Sequence, residues 1–474
     1  MRILLYLESL VKIVSNRKKL IIIGLDCATP RTLFHEFIDD CPNIKKLISK
    51  GVYGKLKSSD PPITIPAWMV MATGKKAGTL GLYGFRHRKA NSYNEYWIAT
   101  SLSIKEPTIW DIIGEKGLKS IILGVPPSYP VKPINGCLIA GFIAPDTNSE
   151  YTYPPELKDE IKEKIGDYIL DVNFRVEDKE SLLKEIYDMT KIQLKTIKYL
   201  LKNKEWNFCQ FVLIGLDRMH HAFWKYFDKK HPKYEPGNKF ELEMKNYYKF
   251  LDVEIGKLLN ILDDDTVVMV VSDHGAKAMK GLVCVNMALE KLGLLKFKSK
   301  PKPGSRLEDA EIDWSKTYAW GWGGYYARIF LNVKGREPNG IIKKKDYEKW
   351  RDKVAKKIKS IKDDKGNKME TKVYRPEDFY GIIRGDPPDL MVYFDDLNWR
   401  SAGTVGYDSM YLMENDTGPD DAVHDYYGIF IIYDPKKDIG KELNTRNILD
   451  IAPTALDILG FKIPADMEGK KIDF

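Results

Sequence analysis

Cysteine is scarce in this chain of 474 residues and does not pair: Cys27, Cys41, Cys137, Cys209 and Cys284 are odd in number, scattered and never spaced as C-x-x-C. That excludes a disulfide framework and a cysteine zinc site, and a reducing cytoplasm is the expected compartment. Long apolar runs are missing too. The opening MRILLYLESLVKIVSNRKK is interrupted by Glu8 and Lys12, lacks a small-residue cleavage site and is too short to span a bilayer. Ile3, Leu4, Leu7, Leu10, Val11 and Val14 recur at helical spacing, so residues 1–18 read as an amphipathic extension docked on the protein, with no transmembrane segment. No glycine-rich stretch has phosphate-loop spacing, and GWGGYYARIFLNVKG reads as a strand with a tight turn. Net charge is also small: 75 Lys and Arg against 67 Asp and Glu leave +8, much of it in IIKKKDYEKWRDKVAKKIKSIKDDK. That run reads as a solvated helix face rather than a polyanion-binding patch, and nucleic acid is not indicated.

What is present is ordinary globular composition, 43% hydrophobic and 30% charged, arranged in short apolar runs separated by helical patterns. KLIIIGLD (19–26), KSIILGVP (119–126), FCQFVLIGLD (208–217), DTVVMVVSD (265–273) and YYGIFIIYD (426–434) read as buried strands; helices are expected at 43–50, 107–116, 180–203, 240–262, 345–361 and 447–459. This is the α/β signature of a largely parallel central sheet with helices on both faces. Residues 295–370, rich in Lys, Pro and Gly, read as an inserted cap, which leaves 19–294 and 371–474 as the core.

Asp26, Asp217 and Asp273 each end one of the expected strands. In open α/β sheets ligands bind outside the carboxyl ends of the strands, so three acids there would converge on one crevice, although any one of them could instead cap a following helix. The chain holds only seven histidines, yet His221 lies four residues after Asp217, His274 adjoins Asp273, and His424 precedes the last strand. A helical turn would place Asp217 and His221 on one face, and Gly275 would permit a sharp turn aiming Asp273 and His274 inward. Three Asp and three His without sulfur suit two divalent ions, Zn²⁺ first and Mn²⁺ second, each with an open position. In SSDPPITIPAWMVMATG, Thr64 precedes a helix-like run, as a nucleophile bound to metal or as a plain N-cap.

In this order the pattern resembles the alkaline phosphatase superfamily, most closely its type I phosphodiesterase/nucleotide pyrophosphatase branch. TIPAWMVMATG, GLDRMHHAFW, SDHG, NVKGREPNGI, DPPDLMV, HDYYGIF and DIAPTALDILG are similar to a microbial group of phosphohydrolases or phosphomutases. The resemblance implies an alkaline phosphatase-like fold, a hydrolase acting on small phosphate esters, and Thr64 as nucleophile. It assigns Asp217, His221 and His424 to one metal, and Asp26, Asp273, His274 and the Thr64 hydroxyl to the other. His220 and Asp425 match no ligand position. The chain departs from eukaryotic-type nucleotide pyrophosphatases where an Asn holds the phosphate. Phe85 stands at or near that place, so Arg86 or His87 is expected to bind substrate, and nucleotide specificity does not carry over. A phosphomutase and a non-catalytic polyanion-binding protein are the alternatives. TIPAW, where a sulfatase needs C-x-P-x-R, argues against sulfatase activity.

Overall fold

β-Branched and aromatic runs flanked by turn residues become strands where both faces can be covered, and the central sheet meets that condition. A computed structural model describes residues 18–474, so the amphipathic extension expected before Lys18 lies outside the described residues. The strands are β1 (Lys19–Leu25), β2 (Val52–Lys57), β3 (Ser120–Leu123), β4 (Gly136–Ile139), β5 (Phe208–Leu213) and β6 (Thr266–Val271), then the short pair β7 (Gly275–Ala278) and β8 (Ala422–Asp425), and finally β9 (Tyr427–Tyr433). The main sheet runs β2-β9-β6-β1-β5-β3-β4, with two-residue strands at its edges. Pairing is parallel from β6 through β1, β5 and β3 to β4, whereas β9 runs antiparallel to both β2 and β6.

The helices that matter here are α1 (Pro42–Lys50), α2 (Thr64–Thr73), α3 (Lys179–Asn203), α4 (Gly215–Phe227), α5 (Glu243–Leu259), α6 (Tyr347–Lys359) and α7 (Ile451–Ile458). The period of a strand sends alternate residues to opposite faces. In β1, Leu20 and Ile22 pack with α2 and α7, while Ile21, Ile23 and Leu25 pack with α1, α3, α4 and α5. Every long helix expected from periodicity is present with its ends moved by a few residues, the usual uncertainty at frayed termini.

One expected strand end is wrong. β5 stops at Leu213, and Asp217 sits in the first turn of α4 rather than at a strand terminus. The apolar run misleads because Ile214 and Leu216 continue it into the helix, where they are still buried. Gly275 also serves a different purpose from the sharp turn expected of it. It opens β7, and a Cβ there would lie 2.2 Å from the Tyr427 carbonyl oxygen, so only glycine lets β7 and the start of β9 approach so closely.

The region expected as a cap has its own apolar core around Trp320, Ile329, Phe330, Val354 and Val392. Its four-stranded sheet has the order Ala319–Trp322, Ala327–Leu331, Leu390–Tyr393, Lys372–Tyr374, so half of its strands follow residue 370. The first two form the strand and tight turn expected of GWGGYYARIF. α6 turns Arg351, Val354 and Ile358 inward and its lysines outward, as a solvated face does. No helix among the described residues is long and apolar enough to cross a membrane.

Candidate active site

The carboxyl ends of β1 and β6, the first turns of α2 and α4, and β8 meet at one place, and they deliver Asp26, Asp273 with His274, Thr64, Asp217 with His221, and His424. All of these side chains are buried. Asp217 and His221 occupy one face of α4 at i and i+4, and His221 Nε2 lies 3.2 Å from Asp217 Oδ1 and 3.3 Å from His424 Nε2. His424 Nε2 is in turn 3.9 Å from Asp217 Oδ1. On the other side His274 Nε2 lies 3.2 Å from Asp273 Oδ2 and 3.7 Å from Asp26 Oδ1. The two triads adjoin, with the His274 and His424 rings stacked at 3.7 Å.

Each imidazole is prepared to act as a ligand. His424 Nδ1 donates to the Pro62 carbonyl (2.8 Å), His274 Nδ1 to the Gly275 carbonyl (3.1 Å), and His221 Nδ1 to Asp420 Oδ1 (2.7 Å). These oxygens can only accept, so the proton resides on Nδ1 and Nε2 keeps a free lone pair aimed at the cluster. The carboxylates are prepared in the same way. Trp68, one turn after Thr64, donates Nε1–H to Asp26 Oδ2 (2.8 Å), and the Cys27 amide donates to Asp273 Oδ1 (3.2 Å). Asp26 Oδ1, Asp273 Oδ2 and Asp217 Oδ1 are left buried with no hydrogen-bond partner. Three orphaned carboxylate oxygens facing three imidazole lone pairs fit cations, which relieve a burial cost that side chains alone leave in place.

The electrostatics agree for His274 and His424. Burial, then the neighbouring Asp217, pushes Asp26 well above the usual carboxylate range, and burial with Asp26 beside it does the same to Asp273. Burial lowers His274 to about 4 and holds His424 low as well, so both stay neutral. Burial would depress His221 likewise, but Asp420, Tyr325 and Asp217 outweigh it and raise it.

Thr64 is the first residue of α2, and the N-cap is Ile63, with no side chain capping the helix. The Thr64 hydroxyl is instead 3.2 Å from His274 Nε2. Arg86 and His87 part company. Arg86 is exposed and lines the cavity in front of Thr64, whereas His87 does not. His87 is stacked on Trp97 at 4.2 Å, accepts the Tyr83 N–H on Nε2 (2.8 Å), and is lowered to about 3 by burial and then by Arg328. His220 is fully buried against Trp224 with Nε2 3.0 Å from the Tyr248 hydroxyl, and Asp425 faces Lys277 at 3.3 Å. Neither joins the cluster.

With this geometry in place, comparison with known proteins is direct: the family described as type I phosphodiesterase / nucleotide pyrophosphatase matches residues 20–420. The chain belongs to this family. As a type I phosphodiesterase/nucleotide pyrophosphatase family member it is a hydrolase of the alkaline phosphatase superfamily, in a class of enzymes that use two metal ions. Among solved structures, human ectonucleotide pyrophosphatase/phosphodiesterase 5 aligns over 94% of this chain and 96% of its own, with a TM-score of 0.54 at 13% identity. The murine protein of the same name, solved as an inactive form in complex with AMP, aligns equally far with a TM-score of 0.56 and 13% identity. These likenesses establish the fold, a large, mostly parallel mixed sheet with helices. No curated protein matches the chain in sequence.

Several members of this family member's site escape a reading of motifs. Tyr325, at the tight turn of the four-stranded sheet, stacks on His424 at 3.6 Å and brings its hydroxyl within 3.1 Å of His221 Nε2. Trp68 could have been inferred, since Thr64 and Trp68 share a helix face. Its place beside β1 depends on Gly24, where a Cβ would lie 2.5 Å from the Trp68 ring. Asp420 sits four residues before His424 in GPDDAVHD. Besides His221 it accepts from Arg400 Nη1 (2.5 Å) and Arg175 Nη2 (3.1 Å), tying the cluster to two arginines of the cavity wall. Asp420→Asn removes the charge that holds the His221 N–H, so metal affinity should fall by about 10- to 100-fold. Competition with a chromophoric chelator measures this, and unchanged affinity would strip Asp420 of a positioning role.

Proposed function

We propose that the chain is a two-metal phosphohydrolase that cleaves phosphate esters through a covalent phospho-threonine intermediate on Thr64. The observation that carries this reading is the convergence of two Asp/His triads, each with orphaned carboxylate oxygens, on a hydroxyl at the start of α2. Asp217, His221 and His424 would hold one ion, and Asp26, Asp273 and His274 with the Thr64 hydroxyl the other. Bound there, Zn²⁺ or Mn²⁺ would supply Lewis-acid stabilisation of the attacking and leaving oxygens and would lower the pKa of the hydroxyl.

The chain's own groups do the rest. The Thr64 hydroxyl, 3.2 Å from His274 Nε2, would give up its proton and form the new bond to phosphorus as the ester oxygen departs and takes up a proton; water then adds to phosphorus as the Thr64 oxygen leaves and is reprotonated. The N–H groups of Thr64 and Ile65 in the first turn of α2, where Pro66 supplies none, would be available to the equatorial oxygens of the substrate. Asp217, Arg86, Arg175, Arg218, Tyr325 and Arg328 are among the residues lining the cavity in front of Thr64, about 350 Å³ in volume. Guanidinium groups there face the charge that develops on those oxygens.

Because Gly323, Gly324, Tyr325, Tyr326 and Arg328 of the cap form part of that wall, a phosphomutase is the second reading. In that case the acceptor is the substrate's own hydroxyl instead of water. A turnover panel decides: a phosphodiester, a phosphomonoester, a sulfate ester and a phosphosugar are each supplied with Zn²⁺ or Mn²⁺. Release of alcohol or phosphate from the first two supports the hydrolase, isomer without free phosphate supports the mutase, and no reaction on any of them overturns both. We also retain the cytoplasm as the proposed compartment, supported by five free cysteines, all buried.

A further inference from the structure

The cavity in front of Thr64 continues into a second chamber of about 380 Å³. Arg86, Arg175, Arg328 and Arg400, with Gly323 and Gly324, belong to the walls of both. Arg306 adds a further guanidinium to the outer chamber.

Much of this charge is not neutralised by the protein. Arg175 and Arg400 share the single carboxylate of Asp420, which also serves His221. Arg306 has Glu308 at 3.6 Å, and the other acid of the outer wall, Asp416, accepts from Thr404. Among the described residues Arg86 and Arg328 have no carboxylate in ion-pair range. Arg86 lies over the Tyr96 ring at 5.5 Å and Arg328 over the Trp322 ring at 5.1 Å, with Arg328 Nη1 donating to the Arg86 carbonyl. An aromatic face holds a guanidinium in place without cancelling its charge. Arg400 is 6% exposed, and its Nε is a buried donor with no partner.

We propose that the substrate carries a second phosphate, remote from the phosphorus that Thr64 attacks, and that Arg86 and Arg328 bind it in the outer chamber. This rests on the reading of Thr64 and its two triads as the reacting centre. A phosphate dianion presents several acceptors to forked donors, which is the complement of two unneutralised guanidiniums. A nucleobase suits the outer chamber less well, because arginines already lie over the faces of Tyr96 and Trp322.

Calorimetry on the full chain loaded with metal tests this with phosphonates, which are not turned over: methylphosphonate against alkane bisphosphonates with linkers from ethane to hexane. The expected result is one linker length that binds at least about tenfold tighter than methylphosphonate, well beyond the statistical factor of about two for a symmetric ligand. Arg328→Ala should cut the ratio of bisphosphonate to methylphosphonate affinity to about the statistical factor, whatever it does to methylphosphonate binding itself. If every linker binds like methylphosphonate, or if Arg328→Ala keeps the full gain, the second-phosphate site is overturned. Turnover of bis-p-nitrophenyl phosphate is read on the same preparation. Turnover without linker preference removes only the outer site, linker preference without turnover upholds that site and removes the hydrolase reading, and absence of both removes the two together.

Discussion

Thr64→Ala should lose at least about a thousandfold in turnover, a barrier increase of about 4 kcal/mol, while its bound metal stays at the wild-type level. The hydroxyl is the only nucleophile at the start of α2, whereas the triads around it keep all their carboxylates and imidazoles in the variant. Removing it therefore deletes the bond-forming atom and leaves the ligand cluster. Thr64→Ser, which restores a hydroxyl at the same Cα, should recover measurable activity. Acid quench of the wild type during turnover should trap phosphate on the protein, and Thr64→Ala should trap none. Near-wild-type turnover by the alanine variant would show that Thr64 is not the nucleophile.

Stripping the metals should abolish activity and lower the thermal midpoint together, with both restored by Zn²⁺ or Mn²⁺. In the metal-free site Asp26, Asp217 and Asp273 each bury an unpartnered oxygen, and the carboxylates repel one another inside the fold. An ion present at about 100 times its Kd adds about 2.7 kcal/mol to the folded state, and two ions act on the same cluster. Dialysis against a strong chelator, then metal analysis, scanning calorimetry and a diesterase assay on one sample, measures all three quantities. A chain that loses its metal and keeps its activity would refute the two-metal reading. Fewer than one ion per chain after mild purification, with no activity on adding metal, would favour a polyanion-binding protein that merely retains the fold.

Much of this was legible in the chain. Short apolar runs of four to seven residues, rich in β-branched side chains and bounded by turn residues, favour strands of a covered sheet, so β1, β3, β6 and β9 could be located from their composition. The adjacency of Asp273 and His274 and the helical spacing of Asp217 and His221 likewise bring their partners together through local geometry. Local geometry also explains the misreading of Asp217, since an apolar run cannot say where a strand stops and a buried helix begins. His87 illustrates the opposite limit. Its position beside Arg86 suggested a phosphate donor, yet β pairing sends neighbouring residues to opposite faces, and His87 is stacked beneath Trp97.

The α/β class, the order of the ligand-type residues and the chemistry open to them can be read along the chain, because they depend on short-range periodicity and on side-chain type. Which oxygens and nitrogens remain free emerges only with the folded chain. That outcome depends on contacts between residues far apart in the chain: Trp68 taking one oxygen of Asp26, Asp420 taking the N–H of His221, and Tyr325 closing over His424. The arginine wall likewise appears only once the turn of the four-stranded sheet has packed against His221 and His424, since no local pattern links Arg86, Arg175, Arg328 and Arg400.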